Sequence, residues 1–500
     1  MPHVVTQACC GDASCVYACP VNCIHPTPDE PDFGTAEMLY IDPQTCVDCG
    51  ACVSACPVGA IAPGHRLEET QLRFASVNAT HFDETQSDRT GPAGARFPVD
   101  VSWRKPLAPV DKPKALRNAP DPLRVAIVGT GPAAMYAADE LLKHRQAHVT
   151  MYERLTEPFG LARFGVAPDH QTTRRVINLF NRIAANPRLQ ILLNAAIGDA
   201  PGEISLDDLR ARHHAVLWAG GAPSDRRLDI PGIDLPGVQS ATSLVGWYNG
   251  HPDFVDAAPD LSTEHAVVIG NGNVALDVAR ILTSDISRLE NTDISPDALA
   301  ALRSSSIRTV SVVARRGPEV AAFTLPELIG LADGAARVWV DPADLDGIDD
   351  DLVHDPEAAE KIVLLRELAE RPVPDEPFLQ LRFRLTPTQV LGDQAATGVR
   401  FTRTGGDETV DLDAGLVLPA IGYFGTPVPG LPFDEKNGTV ANIAGRVTDR
   451  PGVYVTGWIK RGPTGFIGTN KTDSAETVDN LLDDAEAGLL PTPSSSPIGV

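Results

Sequence analysis

Every one of the nine cysteines falls between Cys9 and Cys56, and nothing after Cys56 contains one. That distribution, with an odd total and CxxC spacing, indicates a metal site, and without the marks of a signal peptide a disulfide framework is not expected. Cys46, Cys49, Cys52 and Cys56, followed by Pro57, read C-x2-C-x2-C-x3-C-P. Cys9, Asp12, Cys15 and Cys19, followed by Pro20, repeat that spacing with an aspartate in the second position.

Zinc is also held by CxxC pairs, but a zinc ribbon gives no reason for a doubled four-position run with proline after each last member. The pattern resembles the two-cluster bacterial ferredoxins, in which each run gives three ligands to one iron–sulfur centre and its last cysteine to the other. That resemblance implies a 4Fe-4S cluster on Cys46, Cys49, Cys52 and Cys19, and a second centre on Cys9, Cys15 and Cys56, with Asp12 at the missing corner. A carboxylate is a harder ligand than a thiolate, so the iron at that corner is expected to be labile and the centre to be 3Fe-4S. Many seven-iron ferredoxins have a longer spacing here, and an Asp12-ligated 4Fe-4S centre is the alternative. Cys23 reads as a small buried side chain near a cluster, and Cys10 as a competitor of Cys9.

The formal charge of −24 argues against nucleic acid as a partner. The first 64 residues hold seven Asp or Glu and no Lys or Arg, so this module would be steered toward a basic surface. No apolar run approaches the ~18 residues of a membrane helix. The start "MPHVVTQACC" lacks the marks of a signal peptide, and a cytoplasmic protein without membrane contact is expected.

Residues 66–122 are proline-rich without sustained periodicity and read as a semi-extended linker after a cysteine-rich module of residues 1–65. From Leu123 onward short apolar strands alternate with helical stretches, the rhythm of a parallel sheet covered on both faces. Residues 491–500 read as a disordered tail.

Two glycine fingerprints lie in this part. In "RVAIVGTGPAAMYAADELL", Gly129, Gly131 and Ala134 stand between a strand and a helix, and Glu153 ends the next strand, placed for a ribose. In "HAVVIGNGNVALDVARIL", Gly270, Gly272 and Ala275 repeat the pattern, but the following strand ends in Arg315 and Arg316. Two guanidinium groups there suit a 2'-phosphate, so NADPH is expected over NADH.

The segments "GTGPAAMYAADELL", "PFGLARFGVAPDH", "GNGNVALDVARIL", "ARRGP", "FTLPEL" and "GWIKRGPTGFIGTNK" resemble the adrenodoxin-reductase-like ferredoxin–NADP reductases, here joined to an N-terminal ferredoxin. The resemblance implies an α+β two-cluster ferredoxin domain followed by an α/β flavoprotein with two Rossmann-like dinucleotide-binding domains. The FAD-binding domain would comprise residues 123–223 and 424–490, and the NADPH-binding domain residues 224–423. By the same resemblance, Ala133, Glu153, Leu161, Trp458, Gly465, Phe466 and Ile467 would contact FAD. Arg226, Asn271, Gly272, Asn273, Val274, Arg315, Arg316 and Glu327 would contact NADPH, and His170 and Glu327 would line the nicotinamide site in a catalytic role. Lys460 and Arg461 would fix a flavin edge, receive an acidic ferredoxin, or be surface charge.

A disulfide reductase needs a cysteine pair beside its flavin, and the part after Cys56 has none. The implied activity is therefore NADPH:ferredoxin oxidoreduction, reversible, with a separate ferredoxin or a cytochrome P450 as external acceptor. The alternatives are an electron-input subunit of a larger complex, similar to the small subunit of glutamate synthase, and a redox sensor.

Overall fold

The computed structural model describes residues 2–87, 112–348, 353 and 355–495. Within the cysteine-rich module, His3–Val5 pairs antiparallel with Ile61–Pro63, and Ile24–His25 with Tyr40–Ile41. Two one-turn helices, Ser14–Ala18 and Ala51–Ala55, end at Cys19 and Cys56, both in extended conformation. The prolines that follow impose this, because a residue before proline is driven out of the helical region. Each run thus turns its last cysteine away from the helix that carries Cys15 or Cys52.

The expected linker is corrected over its first part. Arg73–Ser87 is a helix packed on the module, with Phe74 and Val77 buried. Asn78 ties it down: Oδ1 accepts the N–H groups of Val5 and Ile41 at 3.1 and 2.9 Å, and Nδ2 donates to the carbonyls of Val5 and Phe74. A polar residue carries the central contact, which is why apolar periodicity does not reveal the helix. The rest of that stretch up to residue 111 lies outside the described residues.

Leu123–Val128 lies within a seven-stranded sheet between Ala215–Trp218 and Ala147–Tyr152, all parallel; Leu189–Leu192 follows on one side and Val453–Val455 on the other. Thr469–Glu486 closes over it against the helix Pro132–Leu142. A second, five-stranded parallel sheet runs in the order Val338–Val340, Phe378–Arg382, Thr309–Val313, His265–Ile269, Leu416–Pro419. The chain crosses between the two sheets twice, and the crossings pair with each other, Tyr423 opposite Asp225 and Phe424 opposite Ser224.

The expected tail is also corrected in part: the amides of Ser494 and Ser495 both donate to the carbonyl of Ala211, at 2.8 and 2.9 Å. Backbone bonds hold this stretch without apolar side chains; residues 496–500 lie outside the described residues.

The module is built into both halves of the molecule. Its apolar core is continuous with that of the five-stranded unit, while Cys10, Val58 and Ala60 join the core of the seven-stranded unit. Across these seams Glu37 pairs with Lys361 at 2.6 Å, Arg73 with Asp333 and Glu367 at 3.0 Å each, and Tyr40 donates to Glu357. No described helix is long and apolar enough to cross a membrane.

Candidate active site

Gly129 and Gly270 have φ of +97° and +119°, and a Cβ on either would lie 2.8 or 2.3 Å from the carbonyl oxygen of Ala219 or Ala420. Only glycine meets both demands. Gly131 and Gly272 cap the helices Pro132–Leu142 and Asn273–Thr283 in extended conformation, and a Cβ on either would meet nothing within 4 Å. Each helix therefore presents open space above its free amides, which suits a pyrophosphate. Ala134 and Ala275 are fully buried where each helix packs on its sheet.

Glu153 is buried, its Oε1 accepting the amide of Leu155 at 3.0 Å and its Oε2 the hydroxyl of Thr130. Leu161 opens a short helix and is partly exposed. Gly457 has φ +77°, and its Cβ would lie 2.7 Å from that of Ala133, so the segment leading into Trp458 rests on the first fingerprint helix. Trp458 donates to the carbonyl of Thr464 at 3.2 Å and its ring lies 5.1 Å from that of Tyr423. In the turn that follows, Gly465 has φ +80°, the amide of Phe466 donates to Thr469 Oγ1 at 2.9 Å, and Ile467 packs against the core beneath.

On the second sheet Asn273 does not point away from the protein: Nδ2 donates to Thr324 Oγ1 at 3.2 Å and Oδ1 accepts the amide of Thr324 at 2.9 Å. Asn271 and Val274 flank it, half-buried. Arg315 and Arg316 are exposed and make no ion pair among the described residues. Arg226 lies at the crossing, its guanidinium 5.8 Å from the ring centre of Phe424. His170 and Glu327 come together with Nε2 3.8 Å from Glu327 Oε2, and His170 is equally far from Asp277. Burial pushes the Glu327 carboxyl up, against the opposing pull of His170.

In the module, Cys19, Cys46, Cys49 and Cys52 line one small cavity, floored by Ile24 and Ile41. Cys23 Sγ lies 3.4 Å from Cys19 Sγ. Cys9, Cys15, Cys56 and Asp12 form a second group. The Cys9 thiol is pushed up to about 11, chiefly by burial, with backbone hydrogen bonds opposing and the neighbouring Cys56 and Asp12 adding to the rise; burial raises Cys15 and Cys56 as well. In this second group bare thiolates are disfavoured without a compensating cation, and in the first four sulfurs converge on one cavity, so both groups fit iron–sulfur centres. Cys10 packs instead toward the seven-stranded unit.

The sequence profile of the 4Fe-4S dicluster domain matches residues 8–60, another of that description residues 38–88, and that of pyridine nucleotide-disulphide oxidoreductases residues 123–288. A probable ferredoxin/ferredoxin–NADP reductase of Mycobacterium bovis is 55% identical over 99% of this chain and 86% of its own length. The chain belongs to the ferredoxin/ferredoxin–NADP reductase family. Human mitochondrial NADPH:adrenodoxin oxidoreductase is 46% identical over 74% of the chain and 80% of that protein. The solved structure of Mycobacterium tuberculosis FprA in complex with NADPH superposes with a TM-score of 0.70 at 43% identity, covering 74% of this chain and 87% of that one.

For a ferredoxin–NADP reductase of this family, two expectations need correction. Lys460 pairs with Asp473 at 3.0 Å and Glu476 at 2.6 Å, and Arg461 lies 3.8 Å from the same Asp473. Both are consumed inside the flavoprotein, so neither is a free landing point for an acidic partner. Sequence reasoning also passed over Asp277, Arg280 and Gln7. Arg280 bridges Asp277 and Asp169 at 2.7 Å each, and Gln7 Nε2 donates to Glu327 Oε2 at 3.0 Å. The i,i+3 spacing of Asp277 and Arg280 could have drawn attention; nothing in the sequence signals a contact between residues 320 positions apart.

Proposed function

We propose that the chain takes electrons from NADPH at the second fingerprint and delivers them singly, through FAD and the built-in module, to a ferredoxin or cytochrome P450 acceptor. Bound FAD accepts hydride and gives up electrons one at a time, which suits centres that each take one. The observation that carries the reading is the docked thiol-rich module, whose Cys10 carbonyl accepts the amide of Gly468 at 2.7 Å, beside the segment Gly465–Ile467.

In this reading residues 123–223 and 424–490 hold FAD, with Gly129, Gly131 and Ala134 at its pyrophosphate and Ala133, Glu153, Leu161, Trp458 and Gly465–Ile467 around the rest. Residues 224–423 hold NADPH, with Gly270–Val274 at the pyrophosphate, Arg315 and Arg316 at the 2'-phosphate and Arg226 near the crossing. His170 and Glu327 place the nicotinamide, and the carboxyl of Glu327, raised by burial, is suited to hold a proton beside it.

The 4Fe-4S centre is assigned to Cys19, Cys46, Cys49 and Cys52, and a 3Fe-4S centre to Cys9, Cys15 and Cys56. Supporting the missing iron, the Asp12 carboxylate is already engaged: it accepts from the amide and hydroxyl of Ser14 and lies 3.6 Å from Lys471 Nζ. A cytoplasmic location fits a module that needs reduced thiols.

Electron paramagnetic resonance of the anaerobically purified protein, before and after NADPH, tests this. A near-isotropic oxidised-state signal that NADPH abolishes is expected; clusters that NADPH leaves untouched would overturn the route.

A further inference from the structure

We infer that the thiol-rich module is a working part of the NADPH site, with Gln7 and Glu37 as positioning residues that hold the helix Leu325–Ala332 against the nucleotide loop. This rests on the reading that Asn271–Val274 and Glu327 face NADPH.

The contacts form an unbroken series. Glu37 Oε2 accepts the amide of Leu325, the first residue of that helix, at 2.5 Å, while its Oε1 lies 2.6 Å from the buried Lys361. Within the first turn, Gln7 Nε2 donates to Glu327 Oε2. The Gln7 amide then lies across Gly330, where an added Cβ would come within 2.2 Å of it. The absence of a side chain at 330 is what admits Gln7. On its other side, the same helix start is bound through Thr324 to Asn273, in both directions. Any shift of the helix that breaks the module's contacts must also move Asn273, and must change the approach of Glu327 to His170.

Two ligands that stabilise one position of a shared element strengthen each other equally. Docking of the module and binding of nucleotide are therefore linked: the module preorganises Thr324 and Glu327 for NADP(H), and bound nucleotide tightens the module. Glu37 and Lys361 are both largely withdrawn from solvent, 15% and 8% exposed, so Glu37→Ala would leave the Lys361 ammonium buried without its partner.

The test is calorimetric titration of NADP+ into the full-length protein with its cofactors, for the parent, Gln7→Ala, Glu37→Ala and the double variant. Each single change is expected to weaken NADP+ by about 3- to 10-fold, the loss of one hydrogen bond. Amide exchange of the unmodified parent supplies a second readout that needs no variant to fold. NADP+ should slow exchange at Val5, Thr6 and residues 37–41, which a purely structural contact would not do. Unchanged NADP+ affinity in the double variant, or exchange there indifferent to NADP+, overturns the inference. Arg315→Ala with Arg316→Ala separates the two readings. If that pair weakens NADP+ while Gln7→Ala and Glu37→Ala do not, only the coupling fails; if it too has no effect, the nucleotide site itself is misplaced.

Discussion

Gly468 donates its amide to the carbonyl of Cys10, and a Cβ at position 468 would lie 2.2 Å from Asp12 N and from Gly11 C. Both obstacles are backbone, so no rotamer change relieves them. Gly468→Val should push the module off the flavoprotein, with a cost of about 1–3 kcal/mol or more. Stopped-flow absorbance should show NADPH still bleaching the flavin while cluster reduction slows. Unaltered cluster reduction would show that electrons do not cross at this seam.

Arg315→Ala combined with Arg316→Ala should weaken NADPH and spare NADH. Each bond from a charged group is worth ~1.5–3 kcal/mol, and two exposed arginines should contribute at the lower end. Steady-state KM values for both nucleotides decide it, and equal losses would falsify the 2'-phosphate assignment.

Asn78→Ala leaves the amides of Val5 and Ile41 buried without an acceptor. Each such loss costs about 1–3 kcal/mol, so the module should unfold at markedly lower denaturant, and because its core is shared with the five-stranded unit the flavoprotein transition should fall with it by a smaller amount. Urea melts followed separately by cluster and flavin absorbance check this.

Glu357 sits at the seam with its carboxyl pushed up to about 7, first by burial and then by Glu37, against Tyr40 and Lys361, which lower it. The folded state therefore binds a proton more tightly than the unfolded state, whose value is near 4.5. Stability from this group is complete below about pH 4.5 and is lost as pH rises through about 7. Glu357→Gln should flatten that part of the thermal stability profile. A parent profile already flat between those values would refute the assignment.

Asp12→Cys offers a fourth thiolate where the carboxylate is tied to Ser14 and Lys471. The oxidised-state paramagnetic signal should disappear and iron content should rise. A persistent signal would mean that the corner is closed by geometry rather than by ligand type.

The local chemistry was legible in the sequence because it is written in short spacings. Gly129 and Gly270 sit where adjoining strands crowd the backbone, and Cys19 and Cys56 take their direction from the prolines behind them. Contacts between distant segments left no such mark. Asn78 holds a helix by its amide rather than by an apolar stripe, Lys460 and Arg461 read equally as a flavin-edge clamp, a landing point for a partner or surface charge until Asp473 is brought beside them, and Gln7 resembles any polar residue of a loop. The engagement of Asp12 by Lys471 is likewise set by tertiary placement of a helix more than 450 positions away.

The paired crossings Ser224–Asp225 and Tyr423–Phe424 form the pivot on which the two nucleotide-binding units would turn. The module grips one unit at Lys471 and Gly468 and the other at Lys361 and Asp333, so it spans the pivot like a splint across a joint. Rotation of either unit has to strip one of those grips first. In this arrangement the thiol-rich module acts as a brace that holds both nucleotide-binding units in register.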